Sequence, residues 1–156
     1  MQNEILILIG LTLLPFLELR ASIPYGILNT NLNWMIVFVI CVLANIILAP
    51  IVYFLIDKVI HLFFFIKPFK KVYDYYVTKT QKKIHKYVEK YGEIGLALFI
   101  AVPLPGSGVY TGALAAYILG MSYKDFIKAA AIGVLIAGVI VTAISLTGNE
   151  AFKFLL

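Results

Sequence analysis

The sequence predicts an all-α integral membrane protein: two inverted repeats, each a re-entrant helical hairpin plus a transmembrane helix, joined by a basic amphipathic cytoplasmic helix. Three observations carry that expectation. The chain is 62% hydrophobic and 13% charged, with a mean hydropathy of +0.97; a soluble domain holds about 25% charged residues. Two uncharged stretches, residues 34–56 and 129–149, are long enough to cross a hydrocarbon core of about 30 Å at about 1.5 Å per helical residue. Two other apolar stretches are too short to cross and are cut by unusual tips, PFLELRASIPYG at 15–26 and VPLPGSG at 102–108.

With 156 residues the chain makes one membrane domain, divided into repeat one (5–56), the linker helix (67–91) and repeat two (94–147). The net charge of +5 is concentrated, nine of the thirteen Lys/Arg residues falling between Lys58 and Lys90. In a chain this apolar the positive-inside rule explains the block better than nucleic-acid binding does. The expectation is a multi-pass protein of the cytoplasmic membrane, its Lys-rich middle in the cytoplasm, its surroundings membrane lipids and not nucleic acid. The single cysteine, Cys41, excludes an internal disulfide. No Cys/His cluster points to a metal, and no cofactor is expected. The N-terminus lacks the basic region and the small-residue site of a cleavable signal.

Residues 5–14 are apolar but cover roughly half of the core. Pro15 breaks them. Glu18 and Arg20 follow, the only charges between Ile5 and Ile56. Pro24 suits the first turn of a new helix, which ends at the polar turn NTNLN. Two short arms around a broken tip describe a re-entrant hairpin; one kinked span running through to Asn29 is the alternative. Residues 34–56 form the first span, anchored at the interface by Trp34 and bounded by Asp57 and Lys58. Asn45 is expected to bond a neighbouring helix, and Pro50 to kink the span. Residues 59–66 are too short to cross and either skim the interface or prolong the span obliquely. His61 there reads as an interfacial residue rather than a proton relay.

From 67 to 91 the pattern changes. Phe69, Val72, Tyr73, Tyr76, Thr80, Ile84, Tyr87 and Tyr91 share one helical face, and Lys71, Lys79, Lys82, Lys83, Lys86 and Lys90 the opposite one. Such a helix lies on an anionic leaflet, as a topology anchor or as a reader of lipid headgroups. Two short arms, 94–102 and 109–119, then flank the second tip, and Lys124 and Lys128 favour a cytoplasmic position for the loop after them. The second span, 129–149, carries Gly133, Ala137, Gly138 and Ala143, small residues where a helix can approach closely. The tail from Glu150 is expected to be interfacial.

The tips resemble one another: Leu19, Ser22 and Tyr25 recur as Leu104, Ser107 and Tyr110. With the charge bias, this predicts hairpins dipping in from opposite faces and meeting near the midplane, a common transporter arrangement. A charge in lipid is costly, so Glu18 and Arg20 are expected to face a protein-lined cavity. Pro103, Pro105, Gly106, Ser107 and Gly108 carry no charge, but the glycines expose N–H groups where a helix begins, and such a terminus attracts anions. Ser22 and Ser107 are candidate N-caps.

ELRASIPYG followed by PLPGSGVYTGALAAYILG resembles the small multidrug export protein family, which looks like a branch of the DedA-like (VTT domain) superfamily. The Glu-x-Arg motif falls on Glu18 and Arg20, and the Pro-x-Pro-Gly-x-Gly motif on Pro103, Pro105, Gly106 and Gly108. The resemblance implies two opposed re-entrant hairpins and a role in moving lipid-linked phosphates or phospholipids across the bilayer, coupled to an ion gradient.

The leading expectation is therefore an ion-coupled transporter, not an enzyme, that moves an anionic lipid-like or phosphate-bearing substrate through a site formed by Glu18, Arg20, Ser22, Pro103, Pro105, Gly106, Ser107 and Gly108. Arg20 would hold the anion bidentately and Glu18 would carry a proton; sodium is the other coupling ion considered. Proton-coupled export of cationic amphiphiles and a non-transporting scaffold are the alternatives. A further alternative is that Glu18 and Arg20 pair, or bond the facing loop, and only lock the fold. An enzyme acting on lipid phosphates would need a nucleophile with a base, or metal ligands; the only histidines, His61 and His85, lie away from the tips, and no metal cluster appears. So small a bundle encloses little space, which favours a homodimer or larger homo-oligomer, the small-residue face of the second span being one candidate contact.

Overall fold

A computed structural model describes residues 2–63, 92–104 and 106–155, with side chains for 2–59, 92–104 and 106–148. The described residues form six helices and no strand: α1 (Gln2–Leu13), α2 (Glu18–Asn29), α3 (Trp34–Phe63), α4 (Gly92–Ala101), α5 (Val109–Leu119) and α6 (Tyr123–Leu155). α3 and α6 are long and apolar enough to cross a membrane. The basic helix expected at 67–91 lies outside the described residues, as does Pro105.

α1 stops where the sequence says it should. Pro15 cannot continue the ladder and biases Leu14 away from helical geometry. The chain turns through two non-glycine residues of positive φ, Phe16 at 71° and Glu18 at 47°. α2 then returns antiparallel along α1. The Thr12 and Ser22 hydroxyls meet at 2.7 Å, Leu8 packs beside Gly26, and the Glu4 carboxylate accepts from the Asn31 N–H at 3.4 Å. The break is shorter than expected. It does not reach Pro24, which sits inside α2. A proline there leaves only the Arg20 carbonyl without its helical donor, and the adjacent Ile23 is fully buried in the core.

The Asn33 side chain accepts from the Met35 N–H at 2.9 Å and caps α3. α3 runs on through Pro50, Asp57 and Lys58 to Phe63 and does not end near Ile56. α5 ends at Gly120, φ 71°, with the Gly120 N–H on Tyr117 and the Met121 N–H on Ala116, a Schellman turn. Ser122 and Asp125 form a reciprocal cap, so α6 starts at Tyr123, earlier than its uncharged stretch, and it continues past Glu150 to Leu155. Lys58, Lys124 and Glu150, beyond the uncharged stretches, are good helix formers, so no breaker stops either helix at the end of its apolar run.

Each half thus reads short helix, short helix, long helix. The halves interlock: α2 lies against α6 and α5 against α3, while α1 and α2 also pack on α3 and α3 touches α6. The glycines of α6 permit this. Gly133 faces the Ala97 carbonyl and Ile100 of α4, and Gly138 faces Val42 and Phe38 of α3. That part of the small-residue face is consumed within the chain and is not a free surface for a second copy. The exposed side of α6 is instead aliphatic, with Ile132, Leu135, Val139 and Ile144.

The two polar turns sit at well-separated levels of α3. Asn31 and Asn33 adjoin its start, and the Tyr53 hydroxyl donates to the Met121 carbonyl at 3.1 Å, with the Tyr53 ring stacked on Phe126. Trp34 and Tyr53 are about 28 Å apart along the helix.

Candidate functional site

Glu18 is 2% exposed, a carboxyl group among apolar helices. Burial of a carboxylate is tolerable only with charge partners and hydrogen-bond donors. Glu18 has both. Oε2 accepts from the Val109 N–H at 3.1 Å, from Asn45 Nδ2 at 3.3 Å and from Arg20 Nη1 at 3.4 Å; Oε1 accepts from the Tyr110 N–H at 3.4 Å. Val109 and Tyr110 are the first residues of α5, whose own N-cap, Gly108, offers no side chain. A helix N-terminus carries free N–H groups and a partial positive charge. Glu18 therefore caps α5 from another helix.

Arg20 does the converse at α4. Its Nη2 donates to the carbonyls of Ile100 and Val102 at 3.2 and 3.1 Å and to Ser107 Oγ at 3.2 Å. The last carbonyls of a helix lack partners and carry partial negative charge. So the acid meets the positive end of one helix of the second half, and the base meets the negative end of the other. Residues two apart do not face each other on a regular helix; the left-handed φ at Glu18 supplies the irregularity that lets the pair touch.

The second tip is shaped to receive this pair. Gly106 has φ 84°, a conformation glycine adopts without penalty. A Cβ on Gly108 would overlap the Glu18 carboxylate, so only glycine admits the acid there. The Ser107 hydroxyl lies 2.6 Å from the Val102 carbonyl and 2.8 Å from that of Leu104, which ties the turn to itself while its oxygen accepts from Arg20. The Tyr110 hydroxyl reaches back to the Leu13 carbonyl at 2.6 Å and fastens the end of α1 to the start of α5.

A cavity of about 250 Å³ opens beside the pair, lined by Pro15, Phe16, Glu18, Arg20, Gly106, Gly108, Tyr110, Thr111 and neighbouring aliphatics. The polar side chains in its wall are the acid, the base, Tyr110 and Thr111. Two polar atoms of the residues joined to Glu18, Arg20 Nε and Asn45 Oδ1, are buried and have no partner among the described residues.

Of the residues expected in the site, Glu18, Arg20, Ser107, Gly106 and Gly108 come together. Pro103 lies in the turn, outside the cavity lining, and Pro105 is outside the described residues. Ser22 points elsewhere. It lies within α2 and meets Thr12 between α1 and α2, so neither serine is an N-cap: α2 begins after Leu17 and α5 after Gly108, both without a side-chain cap of their own. For the same reason Ser22 and Ser107 are not structurally equivalent positions. Sequence reasoning missed Asn45 as a partner of the acid, and Phe16, Tyr110 and Thr111 as cavity wall. Asn45 alone carried a signal, as the polar side chain inside the first uncharged span.

No curated protein and no solved structure matches the chain. A family model does match, over residues 18–140, from the buried acid to the middle of the second long helix. That family is described as "Putative small multi-drug export protein", a transport role rather than an enzymatic one. With its two long apolar helices and this match across most of its length, the chain is a membrane protein that belongs to the small multidrug export family.

Proposed function

We propose that the protein is a proton-coupled transporter of amphiphiles with an anionic head, using the space between its two tips as the substrate site. The observation that carries the proposal is the Glu18 carboxylate seated on the Val109 and Tyr110 N–H groups. An anion already occupies the N-terminus of α5, and it belongs to the protein. A proton on Glu18 weakens its hold on those donors, and a substrate phosphate or carboxylate then takes its place. Arg20 stays charged throughout and holds the head against the carbonyl ends of α4, while the substrate's apolar part lies along Phe16, Ile56 and Leu114.

In this reading α1–α2 and α4–α5 are re-entrant hairpins entering from opposite faces of the cytoplasmic membrane. Three features support it: the short–short–long order of each half, the interlocked packing of α2 on α6 and α5 on α3, and the position of the polar turns. Those turns are separated along α3 by about the thickness of a hydrocarbon core, and Asn45, which bonds Glu18, lies near the middle of that distance. Broken backbone at that depth survives only when protein covers it or it lines a cavity; Pro15, Phe16, Gly106 and Gly108 line the cavity beside the pair, which supports the reading. A homodimer would then meet through the aliphatic outer faces of α3 or α6.

The family description favours a second reading, export of cationic amphiphiles, in which Glu18 faces the substrate and Phe16 and Tyr110 offer aromatic surface to the cation. A liposome flux panel of lipid phosphates and cationic dyes, with and without a pH gradient, tests both. The first reading predicts gradient-dependent movement of the anionic lipids, lost in Arg20→Lys. Dye movement that survives Arg20→Lys and is lost in Glu18→Gln establishes the second. No flux of either class refutes both.

A further inference from the structure

We infer that Asn45 is a positioning residue that serves both protonation states of Glu18, turning its amide over when the acid takes up a proton; this rests on the proton-coupled reading above. Asn45 is fully buried near the middle of α3, and its Nδ2 donates to Glu18 Oε2 at 3.3 Å. Its Oδ1 is buried and has no partner among the described residues. A buried amide that uses one end and wastes the other costs about 1–3 kcal/mol relative to a satisfied or apolar side chain, so the wasted end calls for an explanation.

The partners of Glu18 supply one. The Val109 N–H, the Tyr110 N–H and the Arg20 guanidinium are donors only. They suit a carboxylate, which only accepts. A protonated Glu18 presents one hydroxyl, and that hydrogen needs an acceptor. Among the side chains bonded to the carboxylate, Asn45 alone has one. Rotation of the amide by half a turn puts Oδ1 where Nδ2 was, and the Glu18 hydroxyl then donates to it. The idle amide atom faces the same unpartnered spot in either orientation, so the two states differ little in the cost paid by Asn45. Leucine or alanine at this position would offer neither bond.

Among the described residues, the charged and titratable groups facing Glu18 are Arg20 on its own helix and the Tyr110 hydroxyl on α5. α1 contributes none near the tip, its Glu4 being engaged with Asn31 at the far end. On α6, Lys124, Asp125 and Lys128 are gathered at its start, around Ser122 and Glu93. On α3, Asp57 and Lys58 lie about 18 Å along the helix from Asn45. Asn45 is thus the neutral partner through which the state of the acid is read.

The test is a pH titration of Glu18 by infrared difference spectroscopy on the full chain in nanodiscs, its band identified by its loss in Glu18→Gln. It requires no transport, so it stands apart from the flux panel. In Asn45→Asp, which only accepts when ionised, the titration midpoint moves up by at least about one pH unit, a tenfold gain in proton affinity. In Asn45→Thr, which can donate and accept, it stays within about half a unit. In Asn45→Leu the protonated carbonyl band moves to the position of a carboxyl without a hydrogen-bonded hydroxyl, and this variant decides the matter if the aspartate variant does not fold. An unmoved midpoint in Asn45→Asp, an unmoved band in Asn45→Leu, or a Glu18 that never protonates in the wild-type protein overturns the inference.

Discussion

Two charges that sequence alone would send to different sides of a helix are brought together by one backbone torsion. Glu18 adopts φ 47°, and the turn before it places Phe16 at 71°; left-handed conformations cost non-glycine residues about 1–2 kcal/mol each. The bonds to Val109, Tyr110, Asn45 and Arg20 offset that cost. Removing the negative charge leaves Arg20 buried without its counter-ion, so Glu18→Gln should lower stability by about 3–5 kcal/mol, read as an early thermal transition in detergent. Arg20→Lys keeps the charge but offers a single ammonium to acceptors on Ile100, Val102 and Ser107. It should cost about 1.5–3 kcal/mol by the same measurement. Tyr110→Phe loses only the bond to the Leu13 carbonyl, about 1 kcal/mol, so these three variants should rank in that order.

At the scale of elements, two helix ends of one half are completed by side chains of the other. α5 has no cap of its own because Gly108 must stay small for the Glu18 carboxylate. Gly108→Ala should therefore separate the tips, with loss of flux and a destabilisation of several kcal/mol. Gly10→Ala, in the middle of α1 with nothing within 4 Å of the added Cβ, should stabilise by about 0.5–1 kcal/mol. A thermal-shift comparison of the two separates a steric role from a general glycine effect. Much of this layout was legible in the chain. The proline after Leu14, the uncharged stretches and the start of α5 after the glycine tip follow from local rules of helix breaking and hydropathy. The trans-capping was not. It depends on residues about ninety apart in sequence that meet only after folding, and a serine beside each tip pointed to local capping instead. The place of Pro24 inside α2 was likewise hidden, because burial of Ile23 on the same turn decides it, not propensity.

For the whole molecule, α3 acts as the ruler. The turn between α2 and α3 adjoins its start, the turn after α5 is bonded to it at Tyr53 through Met121, and the acid–base pair meets it at Asn45 between them. On the proposed reading α3 crosses the bilayer, and the hairpins enter from opposite faces and touch near the middle. Single cysteines at Asn31→Cys and Ser122→Cys, in a Cys41→Ser background, report this directly through a membrane-impermeant thiol reagent applied to sealed vesicles and then to the same vesicles after permeabilisation. Labelling of the Asn31 position from the outer face alone, with Ser122 reached only after permeabilisation, is the predicted result. Labelling of both positions from one face would contradict the opposed hairpins and the midplane site built on them.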